Sequence, residues 1–437
     1  MLNTITRPLS RLVERYLPDP FVFVIILTLF VMFMATLFTP TTPIETVQIW
    51  GSGLWNLLTF AMQMLLVLIA GFMLANTPFC GKLLNKLARC AKSPKQAILL
   101  VTLISMIASW LNWGFGLVVG ALFAKALARH INVDYRVLVA SAYSGFIVWH
   151  GGLAGSVPLT IASDGHFAES QIGILSTGQT IFSYFNLILL GAMLVVLPLL
   201  NRAMLPPEKE QVLIDKTKLK TSEPEKTVNI LTPAERLEHT PLLGRAIGLL
   251  GCCYLGYYFI ATGGGLNLNI IIALFLFLAI LFHGSATHIL NSLQEAIKGG
   301  AGIVIQFPFY AGIMAIMVQT GLAEQISAGF VSISDAQSLP FWSFLSAGLV
   351  NIFVPSGGGQ WAVQAPIVIP AAQALEADIA RVAMAVAWGD AWTNLIQPFW
   401  ALPVLAIAGL KARDIMGFCL LQLLVTGIII AAILTFV

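Results

Sequence analysis

Asp390 stands in the stretch Trp388-Gly-Asp-Ala-Trp-Thr-Asn394, inside an apolar run long enough to cross a bilayer, and of the 20 acidic residues it alone falls well within such a run. A charge at that depth costs roughly 2.5 to 3.5 kcal/mol on insertion scales unless a proton, a cation or a donor partners it. Asp390 is therefore an ion-coupling candidate, the alternative being a protonated or hydrogen-bonded structural carboxyl. His150, in Trp149-His-Gly-Gly-Leu-Ala-Gly-Ser-Val-Pro158, occupies the comparable place in the first half of the chain. Histidine as a residue type titrates near neutral pH, so it is a second coupling candidate; a plain structural donor is the other reading.

Backbone can also do chemistry here. Pro355, Ser356, Gly357, Gly358 and Gly359 form a turn that can bring bare amides to a ligand, with Gln360 and Gln364 one helical turn apart behind it. That reading, substrate contact, competes with a flexible packing turn. A nucleotide loop is excluded because no Lys-Ser or Lys-Thr follows the glycines. Asn351 opens the break that this turn closes, and Asn112, with Gly114 and Gly116 after it, marks a matching break in the first half. An amide at depth must find a partner, so both asparagines are expected to touch an ion or the substrate, or else to cap returning half-helices. Gly151, Gly152, Ser156 and Asn394 complete the candidate binding set. Trp149, Trp388, Trp392 and Trp400 are expected to line an apolar chamber, with ordinary packing as the alternative for each.

These residues need a membrane to hold them. Of 437 residues 58% are hydrophobic and 10% charged, a balance whose solvent is lipid. The net charge of +3 does not point to nucleic acid, since the basic residues lie in short clusters between apolar runs. Cys80, Cys90, Cys252, Cys253 and Cys419 have no metal-ligand spacing and read as reduced packing residues.

Nine apolar runs can span: 21–38, 54–75, 137–162, 181–200, 242–261, 268–282, 301–320, 380–409 and 415–436. Residues 1–20, with Arg7, Arg11 and Arg15 on one face, suggest an amphipathic surface helix. Stretches 97–128 and 341–372 are 32 residues each, too long for one crossing and too short for two of roughly 20 residues. Both break in the middle and read as re-entrant hairpins. With the amino terminus inside and the carboxy terminus in the periplasm, 22 of 23 basic residues fall on the cytoplasmic side. The exception, Arg381, is expected to pair with Asp378.

The resulting order is one inverted repeat over 21–201, a cytoplasmic linker over 202–241, a connecting span over 242–262 and a second repeat over 263–437. The fold class is thus an all-α integral membrane protein with about nine transmembrane helices and two re-entrant hairpins. Inverted repeats with broken helices are the architecture of secondary transporters. Half-helix amino ends suit a carboxylate, and carboxy ends with Asn, Ser and Gln oxygens suit a sodium ion near Asn112 and Asn351. No other cofactor is implied. A passive anion channel and an intramembrane enzyme using His150 and Asp390 as acid and base are the rivals; the enzyme lacks a nucleophile or metal constellation.

Several runs in order, Leu17-Pro-Asp-Pro20, Asn112-Trp-Gly-Phe-Gly-Leu-Val-Val-Gly-Ala121, Gln306-Phe-Pro-Phe-Tyr-Ala-Gly312, Val354-Pro-Ser-Gly-Gly-Gly359 and Gln397-Pro-Phe-Trp-Ala-Leu-Pro403, resemble the bacterial short-chain fatty acid uptake family of acetoacetate and butyrate carriers. The resemblance implies the ion transporter superfamily, elevator motion, a dimeric scaffold and a bacterial inner-membrane location. It also implies a small monocarboxylate substrate moved with a proton or sodium ion; a dicarboxylate would bring a second negative charge to the same site. The family pattern carries a glutamate at the position of Asp390 and a glycine at that of His150.

Overall fold

A computed structural model describes residues 20–437 apart from 57, 167, 217–231, 265–267 and 354–356. The expected surface helix over 1–20, Pro355 and Ser356 therefore lie outside the described residues, as does much of the 202–241 linker. Among the described residues the fold is helical with no strand. Five helical segments are long and apolar enough to cross a membrane: Pro94–Leu111, Tyr135–Ile161, Tyr184–Ala203, Pro241–Ala261 and Ala412–Phe436.

The helices of the first half are α1 Pro20–Phe38, α2 Pro43–Gly53, α3 Leu58–Ala75, α4 Pro78–Ala88, α5 Pro94–Leu111, α6 Trp113–His130, α7 Tyr135–Ser144, α8 Ser156–Ile161, α9 Glu169–Ile172 and α10 Tyr184–Ala203. A 3-10 turn over Gly145–Gly151 follows α7. After α11 Pro233–His239 and α12 Pro241–Ala261 come α13 Leu268–His283, α14 Ala286–Gln319, α15 Leu322–Val331, α16 Leu339–Asn351, α17 Gly357–Ala374, α18 Ile379–Asn394, α19 Pro398–Ala408 and α20 Ala412–Phe436.

One grouping occurs twice: a helical hairpin (α5 with α6, α16 with α17), an interrupted helix (α7 through α8, α18 through α19) and a closing helix (α10, α20). Asn112 and Asn351 are separated by the same number of residues as Trp149 and Trp388. The interrupted elements lie at the centre, where 94% of the apolar window of Tyr135–Ile161 is buried within the protein. Pro241–Ala261, with 17% buried, is peripheral and presents its side chains outward.

Three local expectations need correcting. The arms α5 and α6 have 18 residues each, about 27 Å at 1.5 Å per residue, longer than half-depth arms. Hydropathy misses their ends because capping and basic residues such as Ser93, Lys95, Arg129 and His130 flank the apolar stretch. Second, α18 does not break at its Trp388-Gly389 pair; it runs on to Asn394 and stops before Pro398, which disfavours helix in the residue before it. Gly389 instead lets α18 press on the backbone of α16 at Phe344. Third, Arg381 does not pair with Asp378. Its guanidinium donates to Leu434 O at 2.7 Å, at the negative end of α20, while the Asp378 carboxylate caps α18 by accepting from the Arg381 backbone NH at 3.2 Å.

Candidate functional site

The second hairpin ends in a web of amides. Asn351, at the carboxy end of α16, directs Nδ2 to Asp390 O at 2.9 Å, Thr393 Oγ1 at 2.8 Å and Asn394 Oδ1 at 2.8 Å, all on α18. Asn394 Nδ2 in turn donates to Asp390 Oδ2 at 3.2 Å. Gln397, at the start of α19, donates back to the Asn351 carbonyl, and Tyr143 OH of α7 reaches Asn394 O at 2.5 Å. The carboxy ends of α16 and α18 thus meet on one cluster, each bringing partial negative charge.

Asp390 and His150 come together across the two halves. His150 Nε2 lies 3.2 Å from Asp390 Oδ2 with both side chains essentially buried, 0% and 1% exposed. Ser156 Oγ stands 3.4 Å from the same ring nitrogen. A hydrolytic triad needs Ser and Asp on opposite ring nitrogens, so this is not one. Gly357, the first residue of α17, closes the group from the other side: a Cβ there would overlap His150 Nε2 and Ser156 Oγ. The glycine triplet is consequently the amino-terminal turn of a helix rather than a loop, and its first residue, Gly357, turns the positive end of that helix towards the pair. Gly358 has open space about its Cα, and Gly359 is half-buried. Gln360 is held further along by Ala347 O at 2.7 Å and Gln364 Oε1 at 3.0 Å.

The first break is built differently. Asn112 caps α6, its Oδ1 accepting from Phe115 N at 2.9 Å, so its oxygen is spent on backbone. Gly114 and Gly116 face neighbouring helices rather than the break: the first meets Val67 of α3 and the second the backbone of Ser109. Gly151 O accepts from Trp110 Nε1 and from Asn186 Nδ2, both at 3.1 Å, and Gly152 is pressed on Trp110. Trp149 packs with Phe146 (ring centroids 5.6 Å), Trp400 (6.0 Å) and Trp113 (6.2 Å), giving an aromatic box beside His150. Trp388 turns away to donate to Asn186 Oδ1 at 2.9 Å, and Trp392 to Leu423 O at 2.7 Å.

The structure therefore brings Asn351, Gly357, Gln360, Asp390, Asn394, His150, Ser156 and Trp149 to one central region. It gives Asn112, Gly114, Gly116, Gly151, Gly152 and Trp388 packing or capping contacts around it. Sequence reasoning missed Thr393, Gln397 and Tyr143. Gln397 had a signal, an amide immediately before the proline that restarts the helix; Tyr143, in a buried helix, had only the polar tip that a buried tyrosine must satisfy. No lysine or arginine is buried among the described residues, and no group of three His, Cys, Asp or Glu side chains there could hold a metal ion.

The chain matches the family described as short chain fatty acid transporter over residues 1–437. A protein of Escherichia coli K12, provisionally named a short-chain fatty acid transporter, is 43% identical over 438 residues and covers 100% of both chains. A Haemophilus influenzae Rd protein with the same provisional name is 42% identical, covering 98% of each. Among solved structures, the crystal structure of the YdaH transporter of Alcanivorax borkumensis superposes with a TM-score of 0.50 at 18% identity, over 96% of this chain and 97% of that one. That last likeness is one of fold.

Proposed function

Because this chain belongs to the short-chain fatty acid transporter family, and is a transporter rather than an enzyme, we propose that it is a secondary carrier. Its cargo is acetoacetate, butyrate or a similar monocarboxylate, moved with a co-transported cation. The observation that carries this reading is the meeting of the α17 amino terminus with the His150–Asp390 pair, between two interrupted helices, with no lysine or arginine buried among the described residues.

A carboxylate placed beside Gly357 to Gly359 takes donors from the first turn of α17 and from Ser156, and is favoured by the positive end of that helix. Trp149 Nε1 and His150 Nδ1, both buried with no hydrogen-bond partner among the described residues, are the adjacent side-chain nitrogens; indole is a donor only. The short alkyl tail then lies against Trp149, Trp113, Phe146 and Trp400. A dicarboxylate fits less well, because helix dipoles carry only about half a charge each and no lysine or arginine is buried among the described residues to take a second carboxylate.

In this reading α5 to α8 and α16 to α19 travel as one body past a scaffold that includes α3 and α14, with the hairpin tips dipping into the bilayer from opposite faces. The scaffold pairs with a second copy, and the basic residues hold the amino terminus in the cytoplasm of a bacterial inner membrane. The test is uptake of labelled butyrate into proteoliposomes under imposed sodium and proton gradients in turn. Saturable accumulation driven by one of them supports a coupled carrier; single-channel current steps in a planar bilayer would refute it.

A further inference from the structure

The short helix α4, between α3 and the first hairpin, carries its side chains in three sectors. At 3.6 residues per turn, Leu84 and Ala88 share one face, and both are buried in the core. Phe79 and Leu83 share the next and are 59% and 46% exposed, with Phe79 beside Phe282 of α13 at a ring separation of 5.3 Å. Lys82, Lys86 and the terminal Arg89 fall within about 60° of one another on the third face, and all three are exposed. Lys92 and Lys95 follow, exposed as well, in the turn to α5 and at its start. Buried, exposed apolar and basic faces in that order are the pattern of a helix that lies in a membrane interface rather than crossing it.

The direction of α4 agrees. It leaves α3 at a bend of 68°, held by Thr77, whose hydroxyl donates to Leu74 O at 2.7 Å and accepts from Cys80 N at 3.3 Å. The charge on its third face is uncompensated. Between Glu45 and Asp134 the chain has no acidic residue, against seven lysines and arginines, and none of Lys82, Lys86, Arg89, Lys92 and Lys95 forms an ion pair among the described residues. Lys82 and Lys86, four residues apart, repel each other along the helix. The corresponding helix of the second half, α15, has Glu324 and no basic residue, and no lysine or arginine occurs between Lys298 and Arg381. The general bias of basic residues towards the cytoplasm accounts for their side, but not for an exposed apolar pair set beside them on the same helix.

Resting on the carrier reading and the sidedness above, we propose that α4 is a docking face for the anionic phospholipids of the cytoplasmic leaflet. Lys82, Lys86 and Arg89 contact the headgroup phosphates, while Phe79 and Leu83 enter the acyl boundary. Because α4 joins α3 of the scaffold to the hairpin arm α5, lipid bound there holds the joint at a fixed depth while the hairpin moves. Transport is therefore fast only in a membrane that supplies negative charge at that face.

The experiment titrates purified full-length protein, in a non-ionic detergent at fixed pH, with dioleoylphosphatidylglycerol, dioleoylphosphatidylcholine or glycerol phosphate, and reads thermal unfolding. Butyrate counterflow is measured in phosphatidylcholine liposomes with and without phosphatidylglycerol. Phosphatidylglycerol should raise the unfolding temperature in a saturable way, and the other two should not. Replacing Lys82, Lys86 and Arg89 together by Gln should weaken that response by roughly fivefold per charge removed and give the slow, phosphatidylcholine rate of counterflow in both liposomes. High ionic strength should reproduce the loss in the unsubstituted protein. Arg202→Gln, Lys209→Gln and Arg413→Gln together, which remove three exposed charges elsewhere, should leave both readouts unchanged. Equal stabilisation by the two phospholipids, an equal response to glycerol phosphate, an equal loss in the control variant, or counterflow indifferent to lipid charge would each overturn the proposal. Where counterflow itself persists in those cases, the carrier reading survives. Absence of counterflow in every lipid, with the phosphatidylglycerol response and its loss in the α4 variant intact, would remove the carrier reading and leave the docking face.

Discussion

At the scale of single residues, the carboxylate and the imidazole that face each other come from positions far apart in sequence, the first also held by Asn394 and the second beside Ser156. Asp390→Asn keeps the shape and removes the charge, so it should reduce gradient-driven accumulation of butyrate more than tenfold while exchange across equal gradients persists. Comparing the two assays on one liposome preparation checks this, and undiminished accumulation would exclude Asp390 from coupling. Gly357 is constrained in a different way. A side chain there overlaps His150 and Ser156, so Gly357→Val should abolish transport with little loss of helical circular dichroism, because the strain falls on the first turn of α17 alone. The burial of Asp390 was legible in sequence, since an acid within an apolar run stands out. Its partner was named but not its geometry, because nothing local in Trp149-His150-Gly151 says which distant helix the ring will meet.

At the scale of elements, helices end and restart where the sequence breaks its apolar runs, at Asn112 and between Asn351 and Gly357, since asparagine, glycine and proline clusters interrupt apolar periodicity. The reading of α18 misjudged where its interruption falls. Glycine within a helix costs only about 1 kcal/mol, and tight packing of Gly389 on α16 offsets that, whereas Pro398 is a firm stop; α18 therefore runs past its tryptophan and glycine. The two tip asparagines looked equivalent and are not. Asn112 is a helix cap, whose loss costs about 1 kcal/mol, while Asn351 joins α16 to α18 through three oxygens. Asn112→Ala should therefore lower the unfolding temperature modestly, with the affinity for butyrate little changed; Asn351→Ala should weaken cation and substrate binding together. Thermal unfolding with and without substrate distinguishes the two.

At the scale of the whole molecule, α6 meets α3 through small residues: a Cβ on Gly114 would lie 2.5 Å from Val67 Cγ1, and one on Gly71 would lie 3.0 Å from Phe115 N. Close backbone approach of this kind gives helices in lipid a tight interface without side-chain interdigitation, the interface across which the proposed carrier motion would run. A Val67→Cys, Gly114→Cys pair should form a disulfide under copper phenanthroline, and that bond should stop transport until a reductant is added. Uninterrupted transport in the cross-linked protein would mean that α3 and α6 move together. The central claim, that this family member carries its anion by alternating access, is tested most directly by counterflow. Liposomes loaded with unlabelled butyrate and diluted into trace labelled butyrate should take the label up above equilibrium, transiently and with saturation. Label that only equilibrates, at a rate linear in concentration, would contradict the carrier account.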